Sequence, residues 1–340
     1  MSSPKANAHD LFLREPAIKN PVFIDGITRA GKFFLAKVVS HFESIEYYQY
    51  IPLLEHIPIM WKYGQISKAN AVAYLRLYSD LHIYDFLMGR NLNMRGTDSS
   101  SILNAADKDS YLARVNDAEG IEALKSLQNQ KRVPSFLVHE MMPLSDIYFE
   151  AFESAKMINI QRHPVDIIHS WHARAWGERF FKPDIASFVP TLQTETGTMP
   201  WFAVDWFNAQ TKYKPIDLVV QSVLNVNRLE NKHYHETLAP LYKDRIHLMC
   251  YEHLVESPDD EIQRLSSFLE TSPQSVMGEI LKREGCYRQL SVDERDAKYK
   301  SIKQEASEES VQLLDEAIGN YEKKWERTLR HEYHPVPDIA

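Results

Sequence analysis

The sequence predicts an α/β fold with a central parallel β-sheet flanked by helices, and three observations predict it. Short apolar runs alternate with longer helical patterns. A glycine-bounded turn joins the first run to the first helix, and an arginine followed by proline ends a later run. The runs are VFID (22–25), SFLVH (135–139), MINIQ (157–161) and IHLMCY (246–251). Helical patterns fall at 32–43, about 66–90, 145–155, 164–176, 215–238, 259–270 and 305–328. The last is charged, with apolar positions that suit docking by one face. Segments 90–110 and 181–200 read as loops, the latter a candidate lid with three prolines. There is no internal repeat, so residues 1–340 read as one domain with a helical insertion around 51–130 and a C-terminal helical segment at 305–330.

Composition narrows the function classes. With 44% hydrophobic and 25% charged residues, the 340-residue chain can bury a sizeable core. Its 39 Lys+Arg against 47 Asp+Glu give a net charge of −8, which offers no basic footprint for nucleic acid. An anionic ligand therefore needs a locally basic pocket. The two cysteines, Cys250 and Cys286, make neither a disulfide framework nor a metal motif. No apolar run reaches membrane-span length, and MSSPKANAHDLFLREP lacks the apolar centre of a signal peptide, so the expectation is a cytoplasmic protein. The absence of GxGxxG argues against a dinucleotide oxidoreductase.

The turn GITRAGK, Gly26 to Lys32, has the spacing of a nucleotide phosphate loop and stands between strand and helix, as that loop requires. Backbone N–H groups and the helix dipole suit an anion there. The next residue, Phe33, has no oxygen for magnesium, so an anion held here would depend on Arg29 and Lys32 for charge. The bland alternative is a turn shaped only by Gly26 and Gly31.

A second anion site is suggested by MINIQRHPVDIIHSWH. Arg162 follows a strand and points into the crevice where α/β sheets bind ligands, Pro164 suits the first helical turn, and Ser170 stands eight residues after Arg162.

Together these motifs resemble those of the sulfotransferases, whose donor is 3′-phosphoadenosine 5′-phosphosulfate (PAPS) and which have a P-loop nucleotide-hydrolase-like fold. In DGITRAGKFFL, Arg29 stands at the family's basic position and Gly31 at its glycine, while Lys32 and Phe33 replace two hydroxyl residues. The resemblance assigns Arg29, Ala30, Gly31, Lys32, Phe33 and Phe34 to the sulfate-side loop. It assigns Arg162 and Ser170, with Pro164 and Asp166, to the 3′-phosphate. IHLMCYEHLVESPDDEIQRLSSFLE resembles the family's Tyr-Glu-x-Leu segment, where Tyr251 and Glu252 read as structural. A late basic loop implies Arg288, with Arg283 as runner-up, as a further phosphate contact.

Sulfuryl transfer also needs a base near the loop. His139 resembles the family's histidine base; Glu140 competes, because consecutive strand-end residues face opposite ways. The expected activity is sulfuryl transfer to a hydroxyl or amine of a small-molecule or carbohydrate acceptor, without a metal, nucleic acid or membrane partner. The alternatives are a magnesium-ATP kinase and a non-catalytic nucleotide-binding protein. His163, His169 and His172 cluster, the last two at the i, i+3 spacing of helical metal ligands but without an identifiable third ligand, and tryptophans 171, 176, 201 and 206 read as packing residues, with one or two lining the acceptor pocket.

Overall fold

In a computed structural model, the described residues are 11–326 apart from 118, 130, 181–184, 186–187, 196 and 209. Seven strands form: β1 (Val22–Asp25), β2 (Gln49–Tyr50), β3 (Ser135–Leu137), β4 (Lys156–Gln161), β5 (Thr191–Thr194), β6 (Gly197–Pro200) and β7 (Ile246–Cys250). Five make a parallel sheet in the order β2-β3-β1-β4-β7, with β1 at its centre. All four residues of β1 are buried, as expected of a strand covered on both faces. Phe23 stacks on Tyr148 at 4.3 Å in the core beside it.

From β1 the chain runs to the edge strand β2 and returns to β3 on one side, then crosses to β4 and on to β7 on the other. This reversal makes the carboxyl ends of β1, β3 and β4 the natural ligand crevice. The helices Lys32–Val39, Asp146–Ala151, Pro164–His172 and Pro258–Leu269 occupy predicted positions, and Lys68–Leu87 fills most of 66–90. Pro215–His233 ends in a π-turn over Tyr234–Leu238, so the 215–238 expectation holds with a change of helix type at its end. The C-terminal helix is Glu308–Lys324, and it packs on both Pro164–His172 and Pro215–His233.

Several elements differ from expectation. IHLMCY ends its strand at Cys250, and Tyr251 opens a helix. The 181–200 segment is not all loop, since β5 and β6 pair as an antiparallel hairpin; seven of its residues lie outside the described set. Helices Leu53–Lys62, Lys108–Ala113, Ile121–Asn129, Met277–Arg283 and Val292–Glu305 are additional. Leu53–Lys62 is short and contains Pro58, which breaks the pattern that sequence reading looks for.

Candidate functional site

The phosphate-like loop is pinned from both sides. Glu140 accepts the Thr28 N–H, and the Trp171 indole donates to the Thr28 carbonyl at 2.8 Å. Glycine is required twice. A Cβ on Gly26 would lie 2.4 Å from the Ile160 carbonyl oxygen, and one on Gly31, where φ is +104°, would meet the Tyr251 ring at 2.5 Å. Arg29 itself has φ +79°, an uncommon conformation for a side-chain-bearing residue. The N–H groups of Lys32, Phe33 and Phe34 open the helix and have no backbone acceptor among the described residues.

Three guanidinium groups gather at the mouth of this loop. Arg29 Nε donates to Ser170 Oγ at 3.0 Å, and Arg174 donates to the same oxygen at 2.9 Å. Arg162 donates to the Arg29 carbonyl at 3.1 Å, lies 4.4 Å above the Tyr251 ring, and keeps a buried Nε with no partner. Partial burial and the neighbouring Arg174 and Arg162 charges push the Arg29 pKa down. No carboxylate bonds to any of the three among the described residues. Asp166 is committed elsewhere: it accepts from Arg295 at 2.9 Å and Lys298 at 2.7 Å. Although burial opposes it, the charges of Arg295 and Arg162 hold the Asp166 carboxyl well below the usual carboxylate range.

Arg29, Arg162 and Ser170 are thus brought together, with Ala30 and Gly31 in the loop between. Phe34 meets Tyr251 edge-on at 6.3 Å. Lys32 is placed differently from the expectation of an outward cation. It is 3% exposed, its Nζ donates to the Gly26 carbonyl at 2.8 Å, and it lies 3.9 Å from Glu140. Burial pushes its pKa down. The residue thereby compensates Glu140 inside the loop. Phe33, where the hydroxyl was missing, packs 6.0 Å from the His139 ring.

Arg288 is not brought to this cluster. It is exposed beside Gly285 and Cys286, in the turn after Met277–Arg283, and Arg283 bonds the Asn104 carbonyl at 3.3 Å. The late cations that reach the Ser170 helix are Arg295 and Lys298, through Asp166. Arg174 was missed as well, although its position four residues after Ser170 was a readable signal.

The two base candidates separate cleanly. Glu140, with φ +55°, turns into the loop toward Thr28 and Lys32. His139 faces Phe33, Tyr50 at 5.1 Å and Glu55, whose Oε1 lies 2.7 Å from Nδ1. Burial, then the Lys32 charge, puts the His139 pKa well below its ordinary value. Glu55, on the Leu53–Lys62 helix, was invisible from sequence because it is 84 residues away.

Tyr251 does more than shape a turn, since it is the floor under Arg162 and Gly31. Glu252 is structural, accepting the His163 N–H at 3.1 Å and the Tyr321 hydroxyl. The histidines diverge: His163 Nε2 faces Glu322 and His172 faces Glu305. No metal-holding group occurs among the described residues. Trp176 packs on Trp171, and Trp201 is 2% exposed. Trp206 lines a cleft of about 640 Å³ between Pro215–His233 and Glu308–Lys324, beside Gln161, Asn227 and Tyr321.

Solved structures similar to this chain include three sulfotransferases. The sulfotransferase domain from the curacin biosynthetic pathway is 15% identical with TM-score 0.45, covering 92% of this chain and 99% of its own. The sulfotransferase domain from the Synechococcus PCC 7002 olefin synthase is 14% identical with TM-score 0.44, covering 89% and 95%. Sulfotransferase STF9 from Mycobacterium avium is 12% identical with TM-score 0.42, covering 93% and 79%. No curated protein matches. The sulfotransferase-domain family model, however, matches residues 19–324, which takes in β1, the loop, both arginine sites and the C-terminal helix. On that match, the chain belongs to the sulfotransferase family.

Proposed function

We propose that the protein moves a sulfuryl group from 3′-phosphoadenosine 5′-phosphosulfate to a hydroxyl or amine of a small-molecule or carbohydrate acceptor. The observation carrying this reading is that Arg29 and Arg174 both donate to Ser170 while Arg162 donates to the Arg29 carbonyl, beside a helix terminus with unclaimed N–H groups. Like charges are held together there with no carboxylate bonded to them among the described residues, an arrangement that favours a multivalent anion. The donor supplies a sulfuryl group already activated on a phosphate. Arg162 and Ser170, with Arg174, are assigned to its 3′-phosphate. Arg29 and the Lys32, Phe33 and Phe34 N–H groups are assigned to the sulfate-side phosphate, where they stabilise charge on the leaving oxygen. His139 is assigned as the base, and Glu140 as the buried counter-charge of Lys32. Phe33 offers no oxygen to a magnesium ion at that position, which supports sulfuryl transfer over the kinase reading.

A thermal-shift panel tests this. Adenosine 3′,5′-bisphosphate without magnesium should stabilise the protein, by about 2.7 kcal/mol at a hundred times its Kd. If magnesium-ATP stabilises most and the bisphosphate does nothing, a kinase reading replaces this one.

A further inference from the structure

The His139 imidazole is held from one side. Nδ1 lies 2.7 Å from Glu55 Oε1, and no partner for Nε2 is found among the described residues. Glu55 is 7% exposed, stands in the first turn of Leu53–Lys62, and receives a long contact of 3.5 Å from the Tyr50 hydroxyl. Phe33 and Tyr50 pack against the imidazole ring. The ring therefore has one fixed nitrogen and one available nitrogen, and the His139 side chain is 18% exposed.

We propose that Glu55 is a positioning residue that holds His139 by Nδ1–H and so leaves the Nε2 lone pair to take the acceptor's proton. The inference rests on His139 being the base of the proposed transfer. In that step the acceptor's O–H or N–H proton passes to Nε2 while its heteroatom forms the new bond to sulfur. The old sulfur–oxygen bond breaks, with its electron pair left on the donor's phosphate.

The arrangement works in one protonation state. With one proton shared by the pair, it sits on Nδ1, Glu55 is an anion and Nε2 is free. With two protons, Nε2 carries one or Glu55 donates to Nδ1, and the base is lost in either form. The charged groups facing the pair are Lys32, Glu140 and Asp25, with the Tyr50 and Tyr148 hydroxyls nearby. Burial, and then the Glu140 charge, push Glu55 well above the usual carboxylate range. The second proton is therefore lost later than from an ordinary carboxylate, and turnover should rise with pH through the pair's own titration.

The test reads the tautomer directly. ¹⁵N-resolved imidazole NMR at pH 8, with His139 identified by its absence in His139→Ala, should show Nδ1 protonated and Nε2 bare. In Glu55→Gln it should lose that preference. Finding Nε2–H in the wild-type protein overturns the proposal, whatever the activity. Transfer from the donor to a panel of simple phenols, alcohols and amines is then followed by release of adenosine 3′,5′-bisphosphate. Glu55→Gln should lower kcat by about 10- to 100-fold with donor affinity unchanged. It should also move the acidic limb of the pH profile to lower pH, because the carboxylate that favours imidazolium is gone. Transfer with an unmoved limb and unchanged kcat sinks the pair. An Nδ1–H tautomer without transfer to any acceptor sinks the sulfuryl-transfer reading and leaves the pairing standing.

Discussion

Ser170 has one hydroxyl oxygen, and two guanidinium groups donate to it. A neutral acceptor holds those charges in place but does not cancel them, so a bound phosphate is the partner that would. Arg162 contributes a third charge and a buried, unpartnered Nε. Arg162→Ala should therefore weaken adenosine 3′,5′-bisphosphate roughly 10- to 100-fold in a calorimetric titration, with little change in the thermal midpoint. Unchanged affinity would remove Arg162 from the site. His139→Ala should behave oppositely, keeping donor affinity while turnover falls by roughly 10²-fold or more. At this scale the sequence revealed what lies close along the chain. Gly31, Arg29 and Arg162 lie between a strand and the helix that follows it, Ser170 lies on the helix after Arg162, and their offsets are set by backbone geometry. Glu55 and the inward turn of Lys32 depend on packing between distant segments, which no local spacing encodes.

At the scale of elements, the helix bearing Ser170 is strapped to Val292–Glu305 through Asp166, Arg295 and Lys298. Arg295 is 3% exposed, so losing Asp166 leaves a buried charge with only its longer 3.6 Å pairing to Glu252. Asp166→Asn should cost roughly 3 kcal/mol in chemical denaturation at pH 7. The Asp166 pKa is depressed in the folded protein. Its contribution is therefore present above the unfolded value of about 4, and the gap between the two proteins should close as the pH falls below it. A gap that does not narrow at all between about pH 5 and pH 2 would mean the mutation acts through packing instead. This strap was only half legible. The late basic loop points to Arg288 and Arg283, whereas the buried cation that reaches Asp166 is Arg295, further along. A basic residue's target is set by the turn and helix phase between Met277–Arg283 and Val292–Glu305, and that helix was not read.

For the whole molecule, the alternating runs sufficed for four of the sheet's five strands because buried parallel strands leave a strong apolar signal, which the two-residue edge strand β2 lacks. The short helices after β2 and the hairpin of β5 and β6 left none. The core also encloses more acid than the pattern suggests: Asp25, Glu55, Glu140 and Glu230 are all buried around Lys32. Burial raises the pKa of each, and for Glu230 the neighbouring Asp25 charge adds to it. A folded pKa above the unfolded one means that the native state holds the proton longer, so stability should decline as the pH rises above about 5. Glu230 has an unpartnered Oε1 and no assigned role in transfer. Glu230→Gln should raise the thermal midpoint at pH 8 by roughly 2–4 °C and make it less sensitive to pH. A lower midpoint would show that the carboxylate is needed.

The crowd of cations at Ser170 has a practical corollary. Like charges so close together are an electrostatic load, and any multivalent anion from the surrounding solution would discharge it. Inorganic sulfate or phosphate in a buffer should thus mimic part of the nucleotide's effect, and tight occupancy should loosen steeply with ionic strength. For such a protein, the choice of counter-ion is part of the experiment.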